Sequence, residues 1–167
     1  IIHEACDYYF YTDNPSLLTN SHKNIKIIPI YSDSWDEKYK TRRAGKLPKM
    51  LSHMLLPDYD IYIWMDATHY LKDSPEKIIE LLEDYDCAMF KHPERDCVYE
   101  EIKACAGDLG PKFTTALDHP QLLEETEALL RNTSFPENSG LFEMSCFIRR
   151  NTDKNNNAFS KWFSLVS

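Results

Sequence analysis

The sequence predicts an α/β fold, a three-layer sandwich of helices around a mostly parallel central sheet. Three observations predict it. Short apolar or aromatic runs alternate along the chain with amphipathic helical stretches, the pattern of βαβ units. The most apolar of these runs, residues 60–65 (Asp-Ile-Tyr-Ile-Trp-Met), lacks an in-out alternation, as a strand covered on both faces does. The apolar content, 43% of 167 residues, suffices for the core of one domain.

The elements follow in order. Residues 7–12 (Asp-Tyr-Tyr-Phe-Tyr-Thr) are aromatic and β-prone, and Asp13-Asn14-Pro15 stops them. Residues 25–31 form a second strand, and Pro29 places it at an edge or a strand end. Residues 36–56 read as helix broken into two pieces at Pro48, with Pro57 ending the second piece. The strand 60–65 comes next and is expected inside the sheet, with Ile61, Ile63 and Met65 buried. A helix over 75–85 opens at Asp73 or Ser74 as its cap, with Pro75 in its first turn. Residues 87–90 are a short buried strand, 97–106 and 119–131 are helices, and 141–149 are a late strand. The polar stretch 151–157 reads as a loop, and Phe159, Trp162, Phe163 and Leu165 as a closing helix.

Charge and cysteine usage narrow the function classes. Nineteen basic residues against 27 acidic ones give a net charge of −8, which repels a nucleic-acid backbone. No apolar run reaches the roughly 18 residues a membrane span needs. The cysteines, Cys6, Cys87, Cys97, Cys105 and Cys146, include no Cys-x-x-Cys pair, so thiols in a reducing, cytoplasmic compartment are expected over a disulfide framework or a zinc site. In a eukaryotic chain the Golgi lumen is the other compartment. The chain opens on Ile1, and one domain trimmed at both ends is expected. No Gly-x-Gly-x-x-Gly, phosphate-binding loop, His-Glu-x-x-His or Gly-x-Ser-x-Gly pattern occurs, which removes support for dehydrogenase, NTPase, zincin and α/β-hydrolase readings.

Four segments can carry chemistry. In Trp64-Met65-Asp66-Ala67-Thr68-His69 a carboxylate stands at the end of a buried strand, where a divalent cation can be held against a phosphate, with Thr68 or His69 beside it. A turn-capping Asp66 is the competing reading. Lys38, Lys40, Arg42, Arg43, Lys46 and Lys49 put six cations within twelve residues just ahead of that strand, suited to a diphosphate or, more plainly, to a solvated helix face. His92 and Arg95 follow the next strand and can contact a sugar or phosphate, with Glu100 orienting them, unless all three are ordinary surface charges at a helix start. Glu143, or Glu137 before it, can act as a base towards an acceptor hydroxyl, and a paired surface charge is the alternative for each.

Taken in order, Phe10-Tyr11-Thr12-Asp13, Arg42-Arg43 with Lys49 and His53, Leu56 through Asp66, His92-Pro93-Glu94-Arg95-Asp96-Cys97-Val98-Tyr99-Glu100-Glu101, Gly140-Leu141-Phe142-Glu143 and Arg149-Arg150 resemble the TOD1/MUCI70 glycosyltransferase-like family. The resemblance runs from about Asp7 to Trp162. It implies a GT-A-like nucleotide-diphospho-sugar transferase fold, a nucleotide-sugar donor of the UDP-sugar kind, a divalent cation (Mn²⁺ or Mg²⁺) and a carbohydrate or other hydroxyl acceptor. Asp66 matches the first Asp of the Asp-x-Asp motif of such enzymes, and Thr68 stands where the second would be. On this reading Thr12 and Asp13 line a nucleoside pocket, and Arg43, Lys46 and Lys49 neutralise the diphosphate. Asp66 with Thr68 holds the metal, His92, Arg95 and Glu100 meet sugar or acceptor, and Glu143 serves the acceptor side. A non-catalytic carbohydrate- or nucleotide-binding module on the same fold is the rival reading.

Overall fold

The computed structural model describes residues 6–18, 24–30, 40–107 and 120–166. In chain order these form β1 (Tyr8–Thr12), α1 (Pro15–Leu18), β2 (Ile25–Pro29), α2 (Lys40–Met50), α3 (Ser52–Leu55) and β3 (Ile61–Met65). They continue with α4 (Pro75–Glu80), β4 (Cys87–Lys91), α5 (Val98–Ala106), α6 (Pro120–Asn132), β5 (Phe142–Arg150) and α7 (Asp153–Val166). The chain gathers into two compact units, Ile1–Ala88 with Ser145–Ser167, and Met89–Met144. No described helix is long and apolar enough to cross a membrane.

The mixed α/β class holds, but the central sheet is not mostly parallel. β1 and β2 pair in parallel from Tyr8↔Ile25 to Thr12↔Pro29 as a two-stranded sheet. A separate three-stranded sheet has the order β3-β5-β4, and β5 runs antiparallel to β3, from Ile61↔Arg150 to Met65↔Cys146. The reason lies in how the chain returns. It leaves β4 and re-enters beside the same strand end, where the His92 N–H donates to the Leu141 carbonyl at 2.8 Å. A strand that starts where its neighbour ends must run opposite to it. Alternating helices and strands predicted crossover connections; hydrophobic periodicity carries no strand direction.

β3 forms as expected but stands at the end of the three-stranded sheet rather than inside it. Ile61, Ile63 and Met65 are only half-buried, and Tyr62 is the buried member, its hydroxyl donating to the Leu56 carbonyl at 2.8 Å. One edge of β3 pairs with β5, and consecutive residues on from Tyr59 line a cleft that β1 borders as well. The apolar run therefore serves as a cleft wall.

Other boundaries shift for local reasons. Pro48 lies within α2 and the break falls at Leu51, because the Leu51 N–H still reaches the Leu47 carbonyl at 2.8 Å. α4 stops at Glu80, and turns follow through Asp84, with Glu83 at φ 43°. The polar stretch 151–157 is no loop from Asp153 onward: α7 begins there. Thr152 caps it, accepting the Asn155 N–H on its hydroxyl at 3.3 Å and the Asn156 N–H on its carbonyl at 2.8 Å. The buried Asn155 amide donates to the carbonyls of Asp86 at 2.7 Å and Arg150 at 3.0 Å. These tertiary bonds override the weak helix propensity of an Asn run.

The core of the larger unit is built around Tyr62, Leu82, Phe147, Ile148, Phe159 and a cation, Arg149, which has no exposed surface. Its guanidinium lies 4.8 Å from the Tyr62 ring centre and 4.5 Å from that of Phe159. It donates to Asn156 Oδ1 at 3.0 Å, Ser52 Oγ at 2.8 Å and the Met50 carbonyl at 3.4 Å. In the smaller unit Cys97, Tyr99, Ile102 and Ala104 are buried, and the Tyr99 hydroxyl ties α5 to the chain after α6 through the Phe135 carbonyl at 2.8 Å.

Candidate functional site

A cleft of about 840 Å³ opens in the larger unit between β1 and β3, with Thr12, Asp13, Gly45, Pro48, Trp64 and Asp66 among its walls. Asp13 and Asp66 follow the carboxyl ends of their strands, the position where open α/β structures bind ligands. Gly45 presents bare backbone there: an added Cβ would meet nothing within 4 Å.

Asp66 is held from two directions. Its Oδ1 accepts the Trp64 indole N–H at 2.7 Å and the Lys49 ammonium at 3.2 Å. Lys49 comes from the last turn of α2, between the buried Pro48 and Met50, and its ammonium also lies 5.6 Å from the Trp64 ring centre. The Lys49 side chain is 17% exposed and that of Asp66 is 42% exposed, so the stem is sheltered while the carboxylate faces solvent. Of the two readings for the basic run, Lys49 at least is no solvated face.

The other donor-side residues divide. Thr12 is buried and its hydroxyl accepts the Asn14 N–H at 3.1 Å, shaping the turn that presents the exposed Asp13. Lys46 is half-buried on α2. The Arg43 side chain lies outside the described residues. Thr68 is exposed, and its hydroxyl pairs with His69 Nδ1 at 3.1 Å. Among the described residues no three His, Cys, Asp or Glu side chains gather into a metal cage. Asp66 offers a single carboxylate, and its Oδ1 already takes an indole and an ammonium, so a divalent cation there would have to draw its other oxygens from a diphosphate and water.

The smaller unit holds a second cluster. His92 Nδ1 accepts the backbone N–H groups of Glu94 at 3.2 Å and Arg95 at 3.0 Å, and the Arg95 guanidinium approaches its Nε2 at 3.1 Å. Arg95 Nε donates to Glu101 Oε2 at 2.5 Å, and His92 Nε2 lies 3.7 Å from the same oxygen. Cys105 Sγ donates to Glu101 Oε1 at 3.7 Å. The carboxylate here is Glu101, not Glu100, which is exposed on α5. The signal was present: Glu101 lies one turn from both Val98 and Cys105 on the helix side that Val98, Ile102 and Cys105 mark. Glu143 lies half-buried on β5, and Glu137 sits 3.8 Å from Arg131 as a surface pair. All five cysteines are free thiols.

The sequence model of one family, described as TOD1/MUCI70, glycosyltransferase-like domain, matches residues 18–167. No curated protein and no solved structure matches the chain. The match spans most of the chain, so the chain belongs to the TOD1/MUCI70 glycosyltransferase-like domain family.

Proposed function

With that membership as premise, we propose that the chain transfers a sugar from a nucleoside diphosphate donor, a UDP-sugar foremost, to a hydroxyl of a carbohydrate or other acceptor. The observation that carries the reading is the carboxylate of Asp66, which lines the β1–β3 cleft at the end of β3 and holds the sheltered Lys49 ammonium at 3.2 Å. Asp13 borders the nucleoside end of the cleft, and Lys46 and Lys49 of α2 offer charge to the diphosphate. In the reaction the acceptor oxygen bonds to the anomeric carbon as that carbon's bond to the diphosphate oxygen breaks. The electron pair leaves on the nucleoside diphosphate, and the acceptor proton passes to a general base.

An assay of sugar release and transfer over a panel of nucleotide sugars tests this. One donor should be turned over, with its sugar released to water or passed to an added acceptor. The pairing of Thr68 with His69 in place of a second carboxylate favours, as the second reading, a module that binds the donor without turnover. Binding with no sugar released by any donor would establish that reading instead.

A further inference from the structure

We infer that the diphosphate charge is met at this site by the Lys49 ammonium and not by a divalent cation, with Asp66 acting as the positioning residue for Lys49. The inference rests on the proposed nucleoside diphosphate donor and concerns only how its charge is balanced. Asp66 Oδ1, the oxygen facing α2, is committed twice, to the Trp64 indole at 2.7 Å and to Lys49 at 3.2 Å. The indole bond fixes the carboxylate's orientation, and the carboxylate then fixes the ammonium. The indole ring 5.6 Å from Nζ holds the same ammonium from a second side.

A divalent cation placed on Asp66 would be drawn to a carboxylate whose charge is already balanced, with a like charge beside it. An ammonium has three donors, and Asp66 uses one, so Lys49 can donate to a phosphate oxygen without leaving its carboxylate. The helix that carries Lys49 holds no acid, and Lys46 stands on it one turn earlier. Thr68 fits the same picture, since its hydroxyl is turned to His69 and a second carboxylate is not required.

Calorimetric titration of the chain with UDP and with GDP, once in EDTA and once in Mn²⁺, tests the inference. The parent should bind one of the nucleotides with affinities in the two media within about threefold of each other. Lys49→Met should weaken that binding at least tenfold in both media, and Lys49→Arg should restore most of it. Asp66→Asn keeps an acceptor for Trp64 and should weaken binding by less than Lys49→Met does, equally with and without Mn²⁺. Thermal midpoints of the variants show that the fold persists, and the parent comparison needs no variant at all. A parent that binds tenfold or more tightly in Mn²⁺, an advantage lost in Asp66→Asn, would overturn the inference and leave the donor reading standing. Binding of neither nucleotide in either medium would overturn the donor reading and this inference with it.

Discussion

Two cations in the larger unit sit in opposite surroundings. Arg149 is wholly buried between two aromatic rings, donates to a carbonyl, a hydroxyl and an amide oxygen, and meets no carboxylate among its described contacts. Lys49 keeps its ammonium on the cleft-lining carboxylate of Asp66, which is itself 42% exposed. Burial pushes the Arg149 guanidinium pKa down from its ordinary value, with the Tyr62 and Cys87 side chains opposing weakly. The difference teaches which charge the fold uses for itself and which it leaves for a ligand. A cation enclosed by rings and neutral acceptors has no donor left that a ligand could reach. A cation balanced by one carboxylate at a solvent boundary has.

The largest effect should come from Arg149. Arg149→Ala removes four hydrogen bonds and two ring contacts that join α2, α3, β5 and α7, and should cost about 3 kcal/mol or more of stability. Chemical denaturation measures it; a loss below about 1 kcal/mol would mean that Arg149 is a bystander in the core. Its Nε is buried and has no partner among the described residues.

A smaller effect should appear in acid. His53 Nδ1 accepts from the Arg149 guanidinium at 3.2 Å, and its Nε2 pairs with Ser160 Oγ at 3.1 Å. Burial first, and the Arg149 charge second, lower its pKa. The folded protein therefore resists protonation more than the unfolded chain does. Both imidazoles are neutral above the ordinary value of about 6.5, and stability is lost as pH falls below it towards the folded value. The thermal midpoint should drop over that range in the parent and drop less in His53→Gln. Equal slopes would separate His53 from the Arg149 cluster.

The smallest stability effect should come from the cleft pair. Lys49→Met or Asp66→Ala should change stability by less than about 1 kcal/mol, the worth of a solvent-facing ion pair. A loss as large as that of Arg149→Ala would erase the contrast and make the pair structural.

Much of this contrast was legible in the sequence, unevenly. Asp66 could be placed because an apolar strand ends at it, and strand ends are set by local pattern. Lys49 could be placed only within a run of six cations, since a run does not say which member meets a carboxylate. Glu100 and Glu101 were a coin toss by residue type, and the turn of α5 decided for Glu101. Arg149 read as one of two adjacent arginines, whereas its burial arises from Tyr62 and Phe159, far apart in the chain. The direction of β5 was invisible, because pairing direction depends on where the chain returns. The helical start of α7 was hidden by its asparagines, whose partners are carbonyls of other elements.

The central claim is that the β1–β3 cleft takes a nucleoside diphosphate beside Trp64 and Asp66. Trp64 is its own reporter: it lines the cleft and its indole N–H is bonded to Asp66 at 2.7 Å. Titration with UDP and its sugars, followed by tryptophan emission in the parent and in Trp64→Phe, tests the claim most directly. The account predicts a saturable change in the parent that Trp64→Phe loses while the ligand still binds by calorimetry. Saturable binding with the same emission change in Trp64→Phe would place the nucleotide elsewhere and contradict the account.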